Sequence, residues 1–203
     1  MIILTGASGG IGRAILEGLA NLDDVIAISN QHTIEQAPKN VKVVSVDLTS
    51  EKEVLEFVDR FEAIIKKTVL VNAIGLSKPD VLTYSYSAVD WDKVINVNMK
   101  SAFLISRALL GIMIGDRWGR FIHFSSIRAD LYTPGTVAYA ASKCGLSGMS
   151  GVMAKEYARY GITSNILLNG FFDVGMYEQL SEKMKAEVLR MIPSKKLGNP
   201  RNL

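Results

Sequence analysis

The chain has 203 residues, a net charge of +3, 48% hydrophobic and 21% charged side chains, and a single cysteine, Cys144. That length supports one domain with its own core, and the composition is that of a globular chain rather than a disordered or fibrous one. Basic and acidic residues are interspersed without a basic tract, which points to a small-molecule partner and away from nucleic acid or a membrane surface.

One cysteine excludes an internal disulfide and fits a reducing compartment, with Cys144 itself expected as a packing residue on a helix. The opening "MIILTGASGG" has too short an apolar run, and no basic leader, for a signal peptide. No apolar stretch reaches the roughly 18 residues of a membrane helix, so a cytoplasmic location is expected.

In chain order, short Val- and Ile-rich runs predict strands at Ile2–Leu4, Val25–Ile28, Val41–Val46, Thr68–Val71, Phe121–Phe124 and Thr163–Leu168. Helices are predicted at Gly10–Ala20, Ser50–Ile65, Ala88–Ile112, Val137–Arg159 and Tyr177–Met191. The polar segment Gln31–Asn40 is left unassigned. The alternation runs unbroken to about residue 191, so residues 1–203 are expected to form one α/β domain, a doubly wound parallel sheet of the Rossmann type. In such a sheet the first and fourth strands lie side by side where the winding reverses, and ligands bind at the carboxyl ends of the strands there.

"TGASGGIG" follows the first strand and opens a helix. Gly6 permits a tight turn, Gly10 removes bulk where a pyrophosphate approaches, and Gly12 allows close helix packing, while the helix amino end offers N–H donors to the anion. The second strand ends in Ser29, Asn30 and Gln31. A carboxylate there would hold the ribose hydroxyls of NAD and repel the extra phosphate of NADP; with none, NADP(H) is favoured over NAD(H). Arg13 adds a positive charge nearby, whereas Gly9 withholds one from the loop.

Tyr139 is the only tyrosine with a lysine four residues on, Lys143, and residues four apart share a helix face. A phenol is a poor acid at neutral pH, and an adjacent cation favours its ionised form. His32 and His123 have no metal-ligand spacing, so no metal site is expected.

Together these segments resemble the short-chain dehydrogenase/reductase family along essentially the whole chain. "TGASGGIG" resembles its cofactor loop, implying contacts from Gly6, Ser8, Gly10, Ile11 and Gly12. "VDLT" implies that Asp47 and Leu48 lie near the adenine, and "LVNAIG" is similar to the family's Asn-Asn-Ala-Gly, with Asn72, Ala73 and Gly75 on the cofactor side. "INVNMKSAF", "FSSIRA" and "YAASK" imply an active site of Asn98, Ser126, Tyr139 and Lys143, the last two also holding the cofactor. "GLSG", "YGIT" and "IPSKKLGNP" are similar to its 3-oxoacyl-carrier-protein reductases and related ketoreductases.

The resemblance implies carbonyl reduction: hydride from NADP(H), a proton from Tyr139, a hydrogen bond from Ser126, and Lys143 lowering the phenol pKa. Asn98 would bind backbone or a water that relays protons toward Lys143. The substrate is expected to be a small ketone or acyl thioester, the lid Phe171–Met191, and the assembly a homodimer or homotetramer built on the helices that begin near Ala88 and Val137.

Two departures from the family pattern stand out. "LLNGFFDVGM" has Asn169-Gly170 for Pro-Gly and Val174 for a threonine, leaving Gly170 and the backbone of Phe172 and Val174 to hold the nicotinamide amide. The sequence also stops at "GNPRNL", before the family's last helix and strand, so the sixth strand is expected as a sheet edge. The alternatives are a cofactor-binding regulatory or structural subunit without turnover and a nucleotide-sugar epimerase or dehydratase.

Overall fold

The computed structural model describes residues 1–30, 32–78 and 81–203. Six parallel strands form one sheet: β1 (Ile2–Thr5), β2 (Val25–Ser29), β3 (Val41–Ser45), β4 (Thr68–Asn72), β5 (Gly119–Ser126) and β6 (Ile162–Asn169). Their order is β3-β2-β1-β4-β5-β6, so β1 and β4 meet at the centre, with Ile2 beside Val69 and Thr5 beside Asn72. The loops leaving β1 and β4 therefore diverge to opposite sides of a crevice.

Side chains alternate across the pleat. Ile3, Ile26, Ile28, Leu70 and Phe121 pack on one face under α2 (Glu51–Phe61), α4 (Ser101–Asp116) and α6 (Val137–Tyr157). Ile2, Leu4, Val25, Ala27 and Val71 pack on the other under Ile15, Leu16 and Ala20 of α1 (Gly10–Ala20).

Three helices differ from the sequence expectation for local reasons. The helix predicted from Ser50 ends at Phe61, and a turn and a left-handed Lys67 at φ 43° follow before β4 begins. The final helix starts at Glu182 as α7 (Glu182–Met191), where the Ser181 hydroxyl accepts the Met184 N–H. The third, predicted as one helix over Ala88–Ile112, is α3 (Ala88–Ile95) and α4 joined by a π-helical turn, Asn96–Lys100. That wider turn carries the buried Asn98. The run Ala88–Asp116 is long and apolar enough to cross a membrane, against the expectation from apolar runs. Here its Leu104, Ile105, Leu109 and Met113 are buried in the domain core. A short helix, α5 (Arg128–Leu131), follows β5. The unassigned stretch after β2 contains no helix among its described residues, and β6 forms the sheet edge with Leu167 and Leu168 exposed.

At the carboxyl ends of the central strands, Thr5, Asn72 and His123 stand in register across β1, β4 and β5. Thr5 donates its hydroxyl to Asn72 Oδ1 at 2.6 Å, and Asn72 Nδ2 lies 3.4 Å from His123 Nδ1. The His123 ring is fully buried and stacked on Phe121, and its Nε2 has no partner among the described residues. Burial, and secondarily the charge of Lys143, lowers its pKa from 6.5 to about 4. The fold thus holds His123 neutral, while the unfolded chain takes up a proton below about pH 6.5. Stability is expected to be complete above that pH and to fall by up to about 3 kcal/mol as the pH drops through 4. Denaturant melts of wild type and His123→Asn across this range check it: the variant should show a flatter pH dependence, and parallel curves would contradict it.

Candidate active site

The loop after β1 is shaped by backbone contacts that leave no room for side chains. Gly6 sits at φ 67°, and a Cβ there would lie 2.9 Å from the Ala73 carbonyl. A Cβ on Gly12 would come within 2.2 Å of the Gly6 carbonyl oxygen, so this glycine closes the turn against the first turn of α1. Gly10 faces the loop after β6: its Cβ would meet the Gly175 nitrogen at 2.4 Å. Ser8 and Ile11 lie partly exposed in the same turn. With the N–H groups of the first turn of α1 at its edge and no Cβ in the cradle, the loop fits a dinucleotide phosphate. A cleft of about 950 Å³ opens beside it, lined by Ser8, Gly10, Arg13, Val174, Gly175 and Arg201 among others.

Around the rim, Ser29 is buried and Asn30 exposed at the end of β2, while Gln31 lies outside the described residues. Arg13 Nη2 reaches the Thr33 carbonyl at 3.4 Å, which puts its guanidinium over the loop that follows β2. Asp47 accepts the Thr49 N–H and hydroxyl at 2.9 and 2.8 Å, and Leu48 is buried in the core. Ala73 donates its N–H to the Thr5 carbonyl, and Gly75 faces Lys143, whose Nζ would be 3.7 Å from a Cβ there. Beyond β6, Gly170 is exposed; Phe172 pairs with Gly198, and Val174 lies beside Gly10.

The four residues expected to do chemistry come together at the ends of β4 and β5. Lys143 is buried, and its Nζ donates to the Phe124 carbonyl at 2.8 Å and the Ile74 carbonyl at 3.0 Å. Desolvation lowers its pKa to about 8, so it is still largely a cation at neutral pH. Asn98 accepts the Leu76 N–H at 2.7 Å and donates to the Leu76 carbonyl and to Ser142 Oγ, both at 2.9 Å. Both amide donors are thereby used. Ser142 in turn donates to the Tyr139 carbonyl at 2.7 Å, which ties the loop after β4 to the helix carrying Tyr139.

Tyr139 is 6% exposed, and Ser126 lies close enough to bear on its phenol. Burial holds its phenol above the ordinary value, opposed by Ser126 and by the charge of Arg128. Lys143 Nζ lies 5.9 Å from the ring centroid and donates to two carbonyls, and the charge of Arg128 also favours the ionised phenol. Sequence reasoning gave no role to Arg128, Ser125 or Ser142. Ser125 donates to the Lys143 carbonyl at 3.1 Å. All three lie inside the quoted segments "FSSIRA" and "YAASK", and only the spatial neighbourhood of Tyr139 and Lys143 singles them out.

The short chain dehydrogenase family model matches residues 1–185, most of the chain. The chain belongs to the short-chain dehydrogenase family. It is accordingly an NAD(P)-dependent oxidoreductase. Among similar proteins, the 3-oxoacyl-[acyl-carrier-protein] reductase FabG of Rickettsia bellii is 34% identical, over 99% of this chain and 84% of its own. The FabG of Thermotoga maritima is 33% identical over 98% and 84%, and nodulation protein G of a Rhizobium species is 32% identical over 97% and 82%. Within this family frame the described residues contain no group of three metal-ligating side chains.

The glycine contacts give a test. Gly12→Ala must move the Gly6 backbone and is expected to weaken dinucleotide binding at least tenfold, whereas Gly10→Ala displaces Gly175 and should chiefly loosen the loop after β6. Calorimetric titration with NADPH, alongside limited proteolysis of residues 171–180, separates the two. Unchanged affinity in Gly12→Ala would remove this loop from the cofactor site.

Proposed function

We propose that this dehydrogenase is an NADPH-dependent reductase that converts a ketone, of the 3-oxoacyl thioester kind, to an alcohol. The observation that carries the reading is the joined constellation of Ser126, Tyr139, Lys143 and Asn98 at the carboxyl ends of β4 and β5, facing the glycine cradle. The resemblance of the chain to enzymes named 3-oxoacyl-[acyl-carrier-protein] reductase supports the substrate class.

The bound nicotinamide supplies the hydride. A carbonyl oxygen set between the Tyr139 and Ser126 hydroxyls would receive two hydrogen bonds as it gains charge. The phenol, held protonated by burial, then delivers its proton, a contribution on the order of 10²–10⁴-fold for a positioned general acid. Lys143 has three N–H donors, two of them on backbone carbonyls. Its remaining donor and its charge serve the nicotinamide ribose and stabilise the phenolate left behind. Asn98 is a positioning residue that fixes Leu76, the backbone beside Lys143, against α6; a water relay would start from the second lone pair of its Oδ1.

Preference for NADPH is supported by the end of β2, where Ser29 and Asn30 bring no carboxylate, and by Arg13 over the following loop. Assembly as a homodimer is supported by the outer faces of α4 and α6. Gly111, Gly115, Gly148 and Gly151 there have open space at the Cβ position, and Phe103 and Val152 are exposed, a surface suited to close helix contact with a second copy.

Tyr139→Phe is expected to lower reduction of a 3-oxoacyl thioester by at least 10²-fold with NADPH affinity within twofold of wild type; full activity would overturn the assigned acid. Arg13→Ala should cut the preference for NADPH over NADH about tenfold in fluorescence titrations, through loss of a charge-assisted bond to phosphate. An unchanged ratio would assign the discrimination elsewhere.

A further inference from the structure

One contact of the glycine cradle serves neither hydride nor proton transfer: it sets an anion at the lip of an anion site. Gly175 takes a left-handed backbone, φ 63°, and its nitrogen lies against Gly10, where a Cβ would meet it at 2.4 Å. The N–H of that nitrogen is donated to Glu178 Oε2 at 2.8 Å, and the Glu178 N–H is donated to the Gly175 carbonyl at 3.2 Å. These contacts place the carboxylate at the edge of the cradle. Tyr177 is buried and anchors the turn, while Glu178 is exposed. The cleft of about 950 Å³ beside the cradle is lined by Ser8, Arg13, Lys196 and Arg201, a set that suits phosphate, yet Glu178 and Asp173 line it too. The turn itself needs only a hydrogen-bond acceptor at position 178, which an amide supplies as well as a carboxylate. A full negative charge there disfavours every phosphate that enters.

We infer that Glu178 is an internal competitor for the cofactor's phosphates. Its carboxylate holds the Gly175 N–H that a dinucleotide phosphate in the cradle takes over, so that loading the cofactor and releasing Glu178 from Gly175 are one event. The inference rests on the reading of the glycine loop as the cofactor's phosphate cradle and is independent of which ketone is reduced. A backbone N–H makes one strong hydrogen bond, so carboxylate and phosphate exclude each other at Gly175. Their charges also repel. The exposed carboxylate, once displaced, returns to water, and the turn loses its tie at the point where it touches Gly10. That turn leads into α7, so cofactor loading acts through one side chain on the segment expected to cover the substrate.

The test compares wild type with Glu178→Gln, in which the side-chain carbonyl keeps the hydrogen bond and the charge is gone. Calorimetric titrations use NADPH, ADP and, as a ligand without phosphate, adenosine, each at low and at high salt. Oxidation of NADPH with a panel of ketones is followed separately. Glu178→Gln is expected to bind NADPH and ADP about 3- to 10-fold more tightly, to leave adenosine unchanged, and to lose most of the gain at high salt. Equal or weaker binding of NADPH and ADP by the variant would leave Glu178 a turn cap and overturn the inference. A gain as large for adenosine would overturn it as well, by assigning the effect to a looser loop instead of to phosphate. Tighter phosphate binding by the variant with no oxidation of NADPH by any ketone would sink the reductase reading and leave this one standing. Ketone reduction by wild type with affinities untouched by the substitution would do the reverse. If neither protein bound NADPH or ADP, the cradle and the inference would fall together.

Discussion

The Lys143 ammonium, buried and held by the carbonyls of Ile74 and Phe124, is the constraint on which the site depends. Taking a charge out of water costs several kcal/mol, and the depression of its pKa to about 8 expresses that cost. The two carbonyls belong to the segments at the ends of β4 and β5, so one side chain from α6 fixes both strand exits at once. Asn98 repeats the connection one layer further out: it grips Leu76 on both backbone groups and reaches α6 through Ser142. The π-helical turn that carries Asn98 gives up regular helix geometry inside an otherwise continuous helix, and the position it provides is the one that closes this network. Tyr139 is then held by what surrounds it, and its burial keeps it protonated.

A second set of constraints is made of absent atoms. Gly12 presses on Gly6, Gly6 on Ala73, and Gly10 on Gly175, so the exits of β1, β4 and β6 pack backbone to backbone. The phosphate cradle and the loop after β6 are thereby mechanically joined, and a cofactor in the cradle would lie against the segment expected to cover the substrate. That segment has Val174 where the family pattern has a threonine, so a nicotinamide amide held there would depend on backbone groups.

Much of the fold was legible because the signals are local. Short, continuous apolar runs such as Ile2–Leu4 and Val25–Ile28 marked the strands, and the glycine spacing after the first strand pointed to the direction of the crevice. The ends of elements were less legible, since local contacts set them: the Ser181 hydroxyl starts α7 five residues after the apolar pattern begins, and α2 stops at Phe61, short of the expected Ile65. The π-helical turn left no mark in the apolar periodicity. In the site, Ser126, Asn98, Tyr139 and Lys143 were visible from spacing and resemblance. The distribution of charge was not: which cation bears on the phenol depends on where Arg128 and Lys143 sit in space, and "FSSIRA" and "YAASK" look equally plain on paper.

The most direct test of this account is the ionisation of Lys143 itself, followed by NMR of ¹⁵N-labelled lysine side chains in the ligand-free protein, with Lys143→Met to assign the signal. One lysine resonance should titrate near pH 8, apart from the rest, and vanish in the variant. If the resonance lost in Lys143→Met instead titrates near 10.5 with the others, the ammonium is solvated, the two carbonyl bonds do not hold it, and the anchoring of both strand exits by this side chain is wrong.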